Sequence, residues 1–153
     1  ISLGLVGSEM CIRDSDISDK LIDVAKNRSA ANKNIEYFAG DMKEQSFGNF
    51  DYIIAMDSLI HYSPEDTLSS IAEFSKRANN SVLFTVIPST YFLRTKLRLG
   101  KLFPRSERSP EIVPIGLENL RQLEGIKSNA SLKKIARIKR FFYVSEAWEL
   151  ADK

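Results

Sequence analysis

Cysteine and histidine are the scarcest reactive residues in this 153-residue chain: one of each, Cys11 and His61. One cysteine excludes an intrachain disulfide and a cysteine metal cluster. One histidine excludes a multi-histidine centre. No apolar run approaches the roughly 18 residues needed to cross a bilayer. The opening residues lack the basic stretch and cleavage site of a secretory leader, so a reducing cytoplasm is the expected location. Glycine is also sparse, seven in all, and Gly4 and Gly7 of "ISLGLVGSEMCIRDSDISDK" lack the close spacing of a phosphate-cradling loop. They also leave no room for a helix and a strand between such a loop and Asp16.

What is present is ordinary for a globular domain, with 43% hydrophobic and 27% charged residues. The net charge of +2 hides an asymmetry. Residues 16–93 carry 7 basic and 11 acidic side chains, whereas residues 94–140 carry 13 basic and 4 acidic, a net of +9. Such a segment is either a solvated surface or a contact for an anionic partner.

The periodicity predicts an α/β layer fold. "SDKLIDVAKNRSAAN" (18–32) reads as a helix with Ser18 as N-cap and an apolar stripe of Leu21, Ile22, Val24 and Ala25. "NIEYFAGD" is a short strand closed by Gly40 and Asp41. "FDYIIAMD" (50–57) is almost continuously apolar, as suits a buried central strand of a parallel sheet. "PEDTLSSIAEFSKRA" (64–78) opens with proline and acids and keeps helical spacing through Leu68, Ile71, Ala72 and Ser75. "SVLFTVIP" (81–88) is another buried strand, stopped by Pro88. The order α-β-β-α-β follows. Beyond it, "STYFLRTKLRLGKLF" predicts an amphipathic helix whose Arg94, Arg98, Lys101 and Arg105 share one face. A loop with three prolines, a short helix ending at Gly125 and an antiparallel edge hairpin close the chain. The first strand of that hairpin has no single parity: Ile135, Arg137 and Lys139 alternate against Ala136, Ile138 and Arg140.

Open α/β sheets bind ligands at the carboxyl ends of their strands, so those positions carry the candidate site. Asp16 stands where a strand should finish, and an acid there can accept hydrogen bonds from both hydroxyls of a ribose. Asp41 ends the next strand, within reach of an adenine amine, and Met42 can pack on the adenine ring. Ala55, Met56 and Asp57 end the third, and His61 and Tyr62 lie just beyond it. A lone strand-end aspartate is usually a cap or turn residue. Three at successive strand ends favour a ligand. A loop histidine on its own usually caps a helix or fills the core, but this one lies on the ligand side.

These residues, in the order "DIS…GD…FDYIIAMD-LIHY…VLFT", resemble the SAM-dependent methyltransferases with a Rossmann-like sheet. "FDYIIAMDSLIHYSPED", "VLFTVIPSTYFLRTKLRLGKLFPRSERSPEIVP" and "FFYVSEAWEL" more specifically resemble the magnesium-protoporphyrin IX O-methyltransferases of (bacterio)chlorophyll biosynthesis, of the proteobacterial type. The likeness spans residues 16–153, and "GKLFPR" is its discriminating part. It implies methyl transfer from S-adenosylmethionine to a propionate carboxylate of magnesium-protoporphyrin IX. It further implies ribose binding by Asp16, adenine-side binding by Asp41, a cofactor-lining Met56, and a His61 that hydrogen-bonds the reacting carboxylate. Residues 89–115 are then a substrate-side insertion. Its basic face is expected to hold the second propionate, together with Tyr62, or to meet a partner protein such as magnesium chelatase or the membrane surface. The resemblance also implies that the magnesium belongs to the porphyrin, so no protein metal site is expected.

The family pattern places a first strand and a glycine loop ahead of Asp16. "LVGSEMCIRD" instead resembles the translation of a transposase-type sequencing adapter. Residues 1–15 are therefore expected to be non-native, the sheet incomplete, SAM binding by this chain weak, and the chain inactive on its own. Two other readings stand beside this one. The first is a methyltransferase of another small molecule. The second is a non-catalytic basic module, although aromatics are not interleaved with the basic residues as a nucleic-acid stacking platform requires.

Overall fold

The computed structural model describes residues 11–43, 48–89, 112–126, 129–140 and 143–152. The chain divides into two compact units, Ile1–Phe47 and Gly48–Lys153.

The first unit is a β-α-β element. β1 (Ile12–Asp16) pairs in parallel with β2 (Ile35–Ala39), from Ile12 opposite Ile35 to Asp16 opposite Ala39. Ile12 to Ser15, part of the stretch expected to be non-native, thus form the body of β1. Between the strands runs α1 (Asp19–Arg28), where the Ser18 hydroxyl accepts the Leu21 N–H (3.4 Å) as the N-cap pattern requires. The helix ends four residues earlier than its periodicity predicts. The Ser29 N–H and hydroxyl both turn back to the Ala25 carbonyl (3.1 and 2.8 Å) and close it there. The expected apolar stripe is also narrower. Only Ile22 is buried, while Leu21 and Val24 stay 57% and 43% exposed because the two-stranded sheet is too small to cover them.

The second unit is a four-stranded mixed sheet in the order β3-β4-β6-β5. β3 (Phe50–Ala55) runs parallel to β4 (Ala78–Val86). α2 (Pro64–Arg77) crosses between them. Its start is held by Ser63, whose hydroxyl accepts the Asp66 N–H (3.1 Å) and donates to the Asp66 carboxylate (2.9 Å), with Pro64 at the first helical position. α3 (Leu117–Leu120) continues as a 3-10 turn to Gly125, where the short helix was expected. β5 (Ala130–Arg140) and β6 (Tyr143–Asp152) form the antiparallel hairpin. The returning strand β6 lies inside the sheet against β4, so of the hairpin's two strands only β5 is an edge.

Val82, Phe84 and Val86 alternate toward one face of β4, opposite Leu150, Trp148 and Glu146 of β6. With Ile71 and Phe74 of α2, and with Leu120 and Leu123, they are buried and form the core. Each Å² of apolar area that this face buries stabilises the unit by about 25 cal/mol.

Two expectations are corrected here. Residues 50–57 do not form a buried central strand: β3 is an outer strand of its sheet, with Tyr52, Ile54 and Met56 54%, 65% and 69% exposed. Only Ile53 and Ala55 share the core face with Val82 and Phe84, their partners on β4. The mixed parity of β5 is explained by a bulge between Lys134 and Ala136. The extra residue, Ile135, puts Lys134, Arg137 and Lys139 on the face of Trp148, Glu146 and Val144, and Ala136, Ile138 and Arg140 on the other.

Candidate functional site

In the first unit, β1 and β2 end together. The Gly40 N–H donates to the Asp16 carbonyl (3.0 Å), which carries the turn bearing Asp41 and Met42 away from the end of β1. The half-buried Asp16 accepts the Ser18 N–H on one carboxylate oxygen at 2.7 Å. The exposed Asp41 accepts the Lys43 N–H in the same way at 2.9 Å. Each acid therefore holds a local turn, the bland role weighed for a strand-end aspartate. A carboxylate has two oxygens with about four acceptor sites, so holding the turn leaves capacity for a ribose diol or an amine. Met42, half-buried beside Asp41, is placed to present a thioether.

In the second unit, β3 ends at the buried Ala55 and the chain turns outward through Met56 and Asp57. Asp57 has φ of 53°, the left-handed region that non-glycine residues seldom adopt. A 3-10 turn (Leu59–His61) follows. Leu59 and Ile60 anchor it inside, with Ile60 packed against Ile87 and Ile112. The Ile60 carbonyl accepts the Val113 N–H (2.8 Å), and the Thr67 hydroxyl reaches the Leu59 carbonyl (3.4 Å). His61 is thus an exposed imidazole on a turn fixed by buried neighbours, with Tyr62 half-buried after it. Fixing the backbone of an exposed polar side chain suits ligand contact better than core filling. Residues 112–116 return beside the end of β4, where the Ile115 N–H donates to the Ile87 carbonyl (2.9 Å) and the Ser89 N–H to the Ile115 carbonyl (2.7 Å).

The structure therefore groups Asp16, Asp41 and Met42 at one strand end, and Met56, His61 and Tyr62 at another. Arg94, Arg98, Lys101 and Arg105 lie outside the described residues. Two features escaped the sequence reading. One is Thr85, which bonds Asp57 across 28 residues. The other is the buried Glu146, whose Oε1 lies 3.4 Å from Lys134 Nζ and 3.6 Å from Arg137 Nη1. Both depend on strand register, which no local pattern encodes.

A family model described as magnesium-protoporphyrin IX methyltransferase C-terminus matches residues 55–152. The chain belongs to that family. The match opens at the end of β3, takes in Met56, Asp57, His61 and Tyr62, and runs through β6. Asp16, Asp41 and Met42 precede it. The magnesium-protoporphyrin O-methyltransferase of Rhodobacter capsulatus is 44% identical over 136 residues, 88% of this chain and 59% of the relative. The enzyme of that name from Synechocystis sp. is 24% identical over 146 residues, 94% of this chain and 64% of the relative. The crystal structure of magnesium protoporphyrin IX methyltransferase from Synechocystis PCC 6803 with bound SAH superposes with a TM-score of 0.76 at 23% identity. It covers 92% of this chain and 64% of that one, and establishes a shared fold. The chain spans 59% and 64% of the length of these two curated relatives. The family is the one its C-terminal segments resembled, and the fold is that of the SAM-dependent methyltransferases.

Proposed function

We propose that this chain serves the transfer of a methyl group from S-adenosylmethionine to a propionate carboxylate of magnesium-protoporphyrin IX, giving the monomethyl ester. The observation that carries this reading is the family match over residues 55–152, which contains the His61 turn and strands β4, β5 and β6. The relative at 44% identity bears the name of that reaction.

The chemistry asks little of a catalyst beyond placement. S-adenosylmethionine, when bound, supplies an activated methyl on a sulfonium. A propionate is ionised at neutral pH, so it is already a nucleophile and needs no strong base. The protein's task is alignment in a water-poor site, and well-oriented reactants gain several orders of magnitude from that alone. In this reading Asp16 accepts from the ribose hydroxyls with the capacity its turn leaves, and Asp41 accepts from the adenine amine. Met42 and Met56 supply apolar contact to the cofactor. The His61 ring N–H donates to the reacting carboxylate and holds one of its oxygens in line, with Tyr62 beside the porphyrin. The basic residues from Arg94 to Arg105 take the second propionate. We further propose that a magnesium-inserting enzyme, a magnesium chelatase, supplies the substrate, and that the protein works in the cytoplasm at or near the photosynthetic membrane.

No glycine loop of the usual spacing is found in this sequence, and backbone approach to a cofactor depends on such a loop. SAM binding by the chain alone is therefore expected to be weak, and calorimetric titration showing micromolar binding would overturn that expectation. A chimera tests the function itself: residues of the Rhodobacter capsulatus relative outside the matched region, joined ahead of this chain. Monomethyl ester should form from magnesium-protoporphyrin IX and methyl-labelled SAM. A folded chimera that binds SAM and leaves the porphyrin unesterified would refute the assignment.

A further inference from the structure

We propose that Thr85 is a positioning residue for the ligand end of β3: its hydroxyl clamps Asp57 in the left-handed conformation and so sets where Met56 stands and how the chain enters the turn carrying His61. The inference rests on the reading of Met56 and His61 as cofactor-side and substrate-side residues.

The geometry is a two-point contact. The Asp57 N–H donates to Thr85 Oγ1 at 2.8 Å, and that hydroxyl donates back to Asp57 Oδ1 at 3.2 Å. One hydroxyl thus acts as acceptor and donor toward a single residue, and holds both the peptide and the side chain. The ladder between β3 and β4 ends with Ala55 opposite Phe84, one residue before Thr85. Without Thr85 the Asp57 N–H would lose this bond at a position that already bears a positive φ. Aspartate is among the few non-glycine types that tolerate that conformation, and it still costs of order 1 kcal/mol. Strain of this kind persists only where surrounding contacts over-determine it.

The clamp is also well aimed. Thr85 is half-buried in β4, opposite Ala147 of β6, and flanked by the buried Phe84 and Val86. Its β-branched side chain has few rotamers in a strand, so the oxygen is held with little entropy left to lose. Asp57 adjoins the 69% exposed Met56 on one side and begins the approach to the 3-10 turn carrying His61 on the other. Rotation of the peptide at 57 would swing Met56 and shift the entry to the turn on which the buried Leu59 and Ile60 carry His61. Thr85 touches no reacting group in this account, and its effect passes through Asp57.

The test compares T85V and T85S in the intact chain. Valine keeps the shape and strand preference of threonine and removes both hydrogen bonds, whereas serine restores the hydroxyl. Fluorescence of the single tryptophan, Trp148, checks that the sheet remains folded. In T85V the Asp57 amide should exchange with solvent on the order of tenfold faster. The Met56 methyl and His61 ring resonances should shift, and all three should return toward wild type in T85S. Titration with magnesium-protoporphyrin IX, followed by absorbance, should show about tenfold weaker binding in T85V and near-normal binding in T85S. Unchanged Met56 and His61 resonances in a folded T85V would overturn the proposal, as would shifts that serine does not reverse. A wild-type chain that does not bind the porphyrin counts against the function, while the resonances still decide the clamp.

Discussion

Glu146 offers a prediction in which two opposite substitutions at one cluster have unequal costs. Its side chain is 8% exposed, and a single carboxylate oxygen faces both Lys134 and Arg137. At 3.4 and 3.6 Å with an effective dielectric near 20, each contact has a gross Coulomb attraction of about 5 kcal/mol. The two bases are 45% and 47% exposed, so solvent screening leaves about 1 kcal/mol apiece. Against that stands the desolvation of the carboxylate, several kcal/mol. Glu146→Gln removes the attraction and the desolvated charge together, and the freed bases simply hydrate, so stability should change by no more than about 1 kcal/mol. Lys134→Met with Arg137→Met keeps the aliphatic stems, including the one whose ammonium lies 5.7 Å from the Trp148 ring centroid, and leaves the carboxylate buried without a partner. That double variant should lose about 3 kcal/mol. The assay is urea denaturation at pH 7 read by Trp148, the only tryptophan, which stands in the same sheet. With a slope near 2 kcal/mol per molar, the midpoint should fall by about 1.5 M for the double variant and by under 0.5 M for Glu146→Gln. Equal losses, or a larger loss for Glu146→Gln, would refute the claim that the bases are there to tolerate a buried charge.

Three further substitutions separate local from functional roles. Asp16→Asn keeps the oxygen that accepts from Ser18 and removes the charge, so thermal stability should hold within about 0.5 kcal/mol while SAM affinity of the chimera drops about tenfold by calorimetry. Equal affinity would reduce Asp16 to its turn. His61→Ala alters an exposed side chain, so circular dichroism should not change, whereas ester formation by the chimera should fall on the order of a hundredfold; unchanged turnover and porphyrin binding would remove His61 from the mechanism. Ser63→Ala deletes the cap of α2 and should cost about 1 kcal/mol, seen as a melting temperature lower by about 4 °C, and no shift would mean that Pro64 and packing alone set the helix start.

The sequence by itself determined what is local. Helix starts followed from single side chains that satisfy the first orphan N–H groups, as Ser18 does for α1. The order of strands and helices followed from periodicity. The family followed from segments whose residue types are unusual together, and those segments sit where the family match falls. The positions of Asp41 and Met56 at strand ends were legible because a strand ends where its apolar run does.

What only the tertiary structure decided depends on which strand lies beside which. β3 reads as a central strand because an apolar run reports hydrophobicity and carries no information about neighbours. Its place at the edge of its sheet comes from register with β4 alone. The bulge at Ile135 settles which basic residues meet Glu146, and a bulge has no strict sequence signature. The Asp57–Thr85 clamp joins residues 28 positions apart, one of them in a backbone conformation its residue type rarely adopts. Long-range hydrogen bonds of this kind form only after the chain has paid the entropy of bringing the strands together, so they leave no trace in a pattern read a few residues at a time.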